Sequence, residues 1–117
     1  MKIRLTTDTS SFDATLNGSA AARDFAALLP LTLTLSDYAE TEKVSDLPQK
    51  LSTAGAPAGT AAEAGDLTYY APWGNLAIFY KGFRHADGLV KLGTFTSGIE
   101  QFADRDDSFK VTITAAD

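Results

Sequence analysis

The 117-residue chain has no cysteine and only one histidine, one tryptophan and one methionine. Without thiols there is no disulfide framework, no thiolate metal site and no cysteine nucleophile, and the redox compartment leaves no trace in the composition. The single histidine, His85, would have to serve any Ser-His-Asp arrangement, and no G-x-S-x-G elbow is present to set a serine beside it. Neither G-x-x-x-x-G-K-[ST] nor a G-x-G-x-x-G after a strand occurs, so the loops that cradle phosphate are missing. The glycines read instead as turn and bulge residues.

Other shortages narrow the class further. No apolar run approaches the roughly 20 residues that span a bilayer, and Met1-Lys2-Ile3-Arg4-Leu5 alternates where a signal segment would be continuously apolar. The net charge of −5 is spread thinly, and no basic stripe accompanies the aromatics. Nucleic acid and membrane are therefore not expected as partners, and the chain reads as soluble and cytoplasmic. Asp104-Arg105-Asp106-Asp107 has the look of a calcium loop but lacks the glycine and the distal glutamate at their offsets, so it reads as a solvated turn. No metal and no cofactor is implied.

What is present is enough for one domain, residues 1–117, with a core: hydrophobic residues make up 44% of the chain and aromatics 10%. Met1, Ile3 and Leu5 alternate with polar residues, and the same period returns at Phe12, Ala14 and Leu16, which predicts a hairpin. Asn17-Gly18-Ser19 starts a helix whose stripe of Ala22, Phe25, Leu28 and Leu29 is ended by Pro30, with Arg23 and Asp24 outward. Leu31-Thr32-Leu33-Thr34-Leu35 has the period of a half-buried antiparallel strand. The polar run 37–47 reads as short strand pieces. The stretch 52–65 has alanines and glycines but no large apolar group, so it is expected as a long surface loop.

Most of the remaining aromatics sit in GDLTYYAPWGNLAIFY, residues 65–80, which divides at the turn Pro72-Trp73-Gly74. The strand before it places Tyr69 and Tyr70 on opposite faces, so one is core and the other is not. The strand after it, Leu76-Ala77-Ile78-Phe79-Tyr80, is apolar at successive positions and reads as buried on both faces. Phe83 to Gly88 is expected as an exposed loop, Gly88 to Phe95 as a strand interrupted by Gly93, Ser97 to Phe102 as a short helix, and Phe109 to Ile113 as the last strand. Many short strands with two small helices indicate a mainly β barrel or sandwich.

These same segments resemble a known family. The patterns G-D-x-x-Y-Y-x-P-W-G-N-L-A-I-F-Y, A-L-L-P-L-T-L-T-L-S-D-Y and G-L-V-K-L-G are similar to those of the compact bacterial cyclophilin-like proteins, over nearly the whole chain. The larger, catalytic cyclophilins are more distantly similar, through Ala21 to Leu28 and Val90 to Glu100, both scaffold segments. The resemblance implies a small closed cyclophilin-like β-barrel with two short helices, whose core takes Ile3, Leu5, Leu31, Leu33 and Leu35 together with Phe109, Val111 and Ile113. The catalytic family surrounds a prolyl bond with an arginine, a glutamine, a histidine and an apolar pocket. In this chain the arginine falls near Lys43, the glutamine at about Leu76 and the histidine at about Leu89, and a leucine cannot hydrogen-bond a carbonyl.

Three functional readings follow from these residues. The first is a non-catalytic binding module with an apolar groove near Tyr70, Trp73, Phe83 and Arg84, rimmed by Arg84 or His85, for a peptide or small molecule. The second is a weak peptidyl-prolyl isomerase that relies on Lys43 or Arg84. The third is an accessory subunit with a flat, self-complementary patch around Trp73. For the fold itself, Ile78→Asp is expected to unfold the protein, because a carboxylate in a barrel strand has no partner there; a variant with the wild-type melting temperature would refute that placement.

Overall fold

The computed structural model describes residues 1–105 and 108–116. Along the chain the elements are β1 (Lys2–Thr6), β2 (Ser11–Leu16), α1 (Ala20–Ala27), β3 (Leu31–Tyr38), β4 (Glu42–Asp46), β5 (Gly59–Ala62), β6 (Asp66–Tyr70), β7 (Asn75–Phe79), β8 (Phe83–Asp87), β9 (Leu89–Phe95), α2 (Ile99–Ala103) and β10 (Phe109–Ala115). Eight of the strands close into an antiparallel barrel in the order β1-β10-β3-β4-β7-β6-β9-β2, with β2 hydrogen-bonded back to β1. The other two, β5 and β8, form a separate two-stranded sheet. Closure matters physically because it leaves the barrel no unpaired edge.

Period-two alternation decides what fills the interior. Ile3, Leu5, Leu33, Leu35, Val111 and Ile113 point inward, and Leu31 packs at the margin of the same core. Ser19 caps α1 by accepting the Ala22 N–H at 3.1 Å, and Ala21, Ala22 and Phe25 are the face it buries, while Arg23 and Asp24 are exposed. Phe102 of α2 is fully buried at the centre of an aromatic cluster, edge-on to Phe12, Phe95 and Phe109 with ring centroids 5.4, 5.1 and 5.3 Å away. Each side chain of this size contributes roughly 1.5–3 kcal/mol on burial before entropy is counted.

Two expectations change. The stretch 52–65 is not loop throughout, since Gly59–Ala62 is strand β5, and Phe83–Asp87, expected as an exposed loop, is its partner β8. Neither segment has a period-two apolar signal, because the pair is made by long-range hydrogen bonding and by small residues that permit close approach. A Cβ on Gly59 would run into the Ala86 carbonyl. The polar run 37–47 extends β3 to Tyr38 and forms β4, joined by a turn in which Ala39 and Glu40 both adopt positive φ. Of the acidic turn 104–107, Asp104 caps α2 and Arg105 pairs with Asp8, and Asp106 and Asp107 lie outside the described residues.

Gly93 sits beside the expected interruption: β9 is continuous from Leu89 to Phe95, but its register against β6 shifts between Lys91 and Gly93. Gly93 lies within the strand where β9 meets β2, and a side chain there would collide with the Thr15 carbonyl and Leu16 backbone. Gly93→Ala is therefore expected to lower the unfolding free energy by about 1–3 kcal/mol, the usual cost of overpacking, whereas Gly18→Ala, with open space around it, should change it by less than about 0.5 kcal/mol. Urea unfolding of both variants reads the difference; equal midpoints would mean that the β2–β9 seam is not tightly closed.

Candidate functional site

The outer face of the barrel carries a second, smaller core. Ala77 and Phe79 of β7, Leu89 of β9 and Ala62 of β5 are buried together, with Val44, Tyr70 and Ala86 packed against them. The β5–β8 ribbon thus lies over the β4–β7–β6 wall, which explains why Asn75 to Phe79 are buried on both faces. Between ribbon and wall is a cavity of about 360 Å³. The barrel side supplies Tyr38, Glu42, Phe79, Asn75, Tyr70 and Leu89. Trp73 enters from the β6–β7 turn, and Phe83, Arg84, His85 and Ala86 come from the ribbon.

Strand register builds this wall. Glu42 stands directly across from Tyr38 on one side and Phe79 on the other, and Asn75 stands across from Tyr70. The turn 71–74, closed by the Trp73 and Gly74 N–H groups donating to the Tyr70 carbonyl, lifts Trp73 over the wall with Gly74 at positive φ. There the indole is 58% exposed and meets Tyr38 and Tyr70 edge-on, at 5.7 and 5.3 Å and 83° in both cases. Phe83 lies 5.7 Å from Phe79, and the Arg84 guanidinium is 5.6 Å from the Phe83 ring. His85 pairs with Asp87 at 3.1 Å.

Tyr70, Trp73, Phe83, Arg84 and His85 thus come together around one cavity. Lys43 does not join them. It alternates with Glu42 to the opposite face of β4, where it is 1% exposed, pairs with Asp37 at 3.2 Å and donates to the Arg105 carbonyl. The ring of Tyr80 lies 5.3 Å from its ammonium, and the Tyr80 hydroxyl donates to Asp37. Of the positions that match the catalytic cyclophilins' arginine, glutamine and histidine, Lys43 and Leu76 face inward, and only Leu89 lines the cavity, as an apolar group.

The residues missed by sequence reasoning are Tyr38, Glu42, Asn75 and Phe79. Their signal was the adjacency of Asp37-Tyr38, Glu42-Lys43 and Phe79-Tyr80: on a strand each such pair splits between two faces. Asp37 goes to the Lys43 network. Burial alone would raise its pKa, but the hydrogen bonds from Tyr80 and Lys43, the Lys43 charge and the Glu40 N–H outweigh this and hold it below its ordinary 3.8. Glu42, on the cavity side, has no such compensation. Burial, reinforced by the nearby Asp37 charge, raises its pKa from 4.5 to about 7. Its carboxyl makes no hydrogen bond or ion pair with the described residues. Asn75 is also short of a partner: its Oδ1 is buried and unbonded. No cluster of three or more metal-ligating side chains occurs among the described residues, and no helix there is long and apolar enough to cross a membrane.

The folded protein keeps the Glu42 proton to about pH 7, whereas the unfolded chain releases it near 4.5. Between those values the native state binds more protons, so stability falls as pH rises across the window. Glu42→Gln cannot ionise and is expected to be more stable than wild type at pH 8, by about 1–2 kcal/mol after solvent screening, with little difference at pH 4.5. Melting temperatures of both proteins from pH 4.5 to 8 test this; parallel profiles would place the titration elsewhere.

The fold has relatives. No curated protein matches the sequence significantly. Among solved structures, the solution structure of a hypothetical protein from Archaeoglobus fulgidus is similar, with a TM-score of 0.71 at 18% identity over 99% of this chain and 95% of that one. At that identity the likeness speaks for the fold. The sequence matches the Cyclophilin-like family over residues 5–114, nearly the full chain, and the protein therefore belongs to the Cyclophilin-like family.

Proposed function

We propose that this chain is a binding module whose cavity on the outer barrel face takes a small organic ligand. The observation that carries the reading is the meeting of Tyr38, Tyr70, Trp73, Phe79 and Phe83 around one space that also contains unpartnered polar groups. Ligand sites commonly have this composition, an apolar lining with a few placed polar groups, and volumes of about 300–1,000 Å³. A cavity near 360 Å³ suits a small molecule or a single side chain of a peptide better than a long extended segment. The ribbon above it supplies the cover, and the concave shape argues against a flat, self-complementary patch.

Prolyl isomerisation has weaker support. Stabilising a twisted amide needs a preplaced donor, typically worth a few kcal/mol of barrier, and the ammonium of Lys43 is committed to Asp37 and the Arg105 carbonyl. Arg84 remains at the cavity, stacked on Phe83.

Trp73, the sole tryptophan, makes the binding reading directly measurable. Aromatic fragments such as benzyl alcohol and indole are expected to shift its fluorescence and the NMR signals of Tyr70, Phe79 and Phe83 saturably. Trp73→Ala should weaken that binding about tenfold or more, as loss of an aromatic anchor commonly does. Shifts that stay linear with concentration, or that fall mainly outside the cavity, would overturn the reading. A proline-peptide exchange assay on the same samples, showing acceleration over buffer, would favour the isomerase instead.

A further inference from the structure

Resting on the binding reading above, we propose that the ligand of this cavity carries an organic ammonium group, held between the Glu42 carboxylate and the rings of Tyr38, Tyr70 and Trp73. Four independent features point the same way. The carboxyl of Glu42 lines the cavity and has neither an ion pair nor a hydrogen bond with the described residues. The cation next to it in sequence, Lys43, is turned to the other face of the strand and paired with Asp37, so it does not compete with a ligand for the Glu42 carboxyl.

The rings form the second feature. Trp73 stands at 83° to both Tyr38 and Tyr70, within 5.7 Å of each, and an angled set of aromatic rings offers π-faces to a cation from more than one side. Such attraction is worth about 0.5–1 kcal/mol per exposed contact and about 2 when desolvated. The third is Asn75, whose buried Oδ1 adds an acceptor without a donor to the same wall. The fourth is the net charge of −5, which favours approach of a cation over an anion.

On the ribbon side of the cavity the Arg84 guanidinium lies over the Phe83 ring and His85 hydrogen-bonds to Asp87. A ligand with its cationic end on the barrel wall leaves them at the opposite margin. Glu42 must be ionised to bind a cation, and the proton that occupies it near neutrality competes with the ligand. The titratable or charged groups that line the cavity with Glu42 are Tyr38 of β3, Tyr70 of β6, and Arg84 and His85 of β8, and the Asp37 charge acts on it from the other face of β3. Lys43 of its own strand points away.

The test compares cations with uncharged probes. Choline and benzyltrimethylammonium are titrated against 3,3-dimethylbutan-1-ol and benzyl alcohol, with Trp73 fluorescence and NMR shifts as readouts. The cations are expected to bind at least tenfold more tightly than their neutral counterparts. Glu42→Gln is expected to remove that preference, so that the variant binds the cations and the neutral probes with similar affinity. From pH 6 to 8 the affinity for the cations should rise by up to about tenfold, the range set by ionising one competing carboxyl, and the rise should vanish in Glu42→Gln. Equal binding of neutral and cationic members, or binding of benzyl alcohol alone, overturns the ammonium assignment and leaves the binding reading standing. Failure of all four probes overturns both.

Discussion

A buried ammonium is expensive unless it is compensated, and the compensation of Lys43 organises one end of this barrel. Asp37 lies directly across the β3–β4 ladder from Lys43, at 3.2 Å, with Tyr80 and the Arg105 carbonyl completing the shell. Removing one member of such a pair typically costs about 3–5 kcal/mol, so the register of β3, β4 and β7 is tightly specified here. Because side chains alternate, the same register puts Tyr38, Glu42 and Phe79 on the outer face. The cavity wall is the reverse side of the Lys43 network. One face satisfies its charges internally and the other leaves a carboxyl without a partner.

The second constraint is the ribbon. An antiparallel barrel commonly leaves its outer face to solvent, yet Ala77, Phe79 and Leu89 are buried outside the barrel by β5 and β8. Covering that face stabilises the fold by ordinary apolar burial. It also makes a boundary between two layers, and the rings of Tyr70, Trp73 and Phe83 line the cavity that lies there. Glu42 experiences the low-dielectric surroundings that result, which is why its proton is held so much longer than in water. Packing and the chemistry of the site thus have the same origin.

Legibility follows the reach of the signals. The hairpin β1–β2, the cap at Ser19, the alternation of Leu31 to Leu35, the division of Tyr69 from Tyr70 and the doubly buried strand, which ends at Phe79 rather than Tyr80, are all visible locally. The motifs of the family resemblance supplied the closed topology, which no local period contains. Strands β5 and β8 were illegible because each exists only through the other. Tyr70, Trp73, Phe83 and Arg84 were recognisable as a set because they are aromatic or charged residues near turns. Lys43 was misplaced because an alignment position says where a residue lies along the strand, not which face it takes.

By itself the sequence determined the strands with clean alternation, the helix start, the interior of the barrel and the lack of any thiol, since these depend on residue types and short spacings. Only the tertiary structure decided that the 59–62 and 83–87 segments pair, that they roof the outer face, and that Glu42 rather than Lys43 reaches the cavity. The physical reason is that a side chain's surroundings are set by cross-strand neighbours from distant parts of the chain. Residue 42 meets residue 79 across β4 and β7, and residue 62 meets residue 83 across the ribbon. Those encounters convert an ordinary glutamate into a carboxyl that holds its proton to about pH 7.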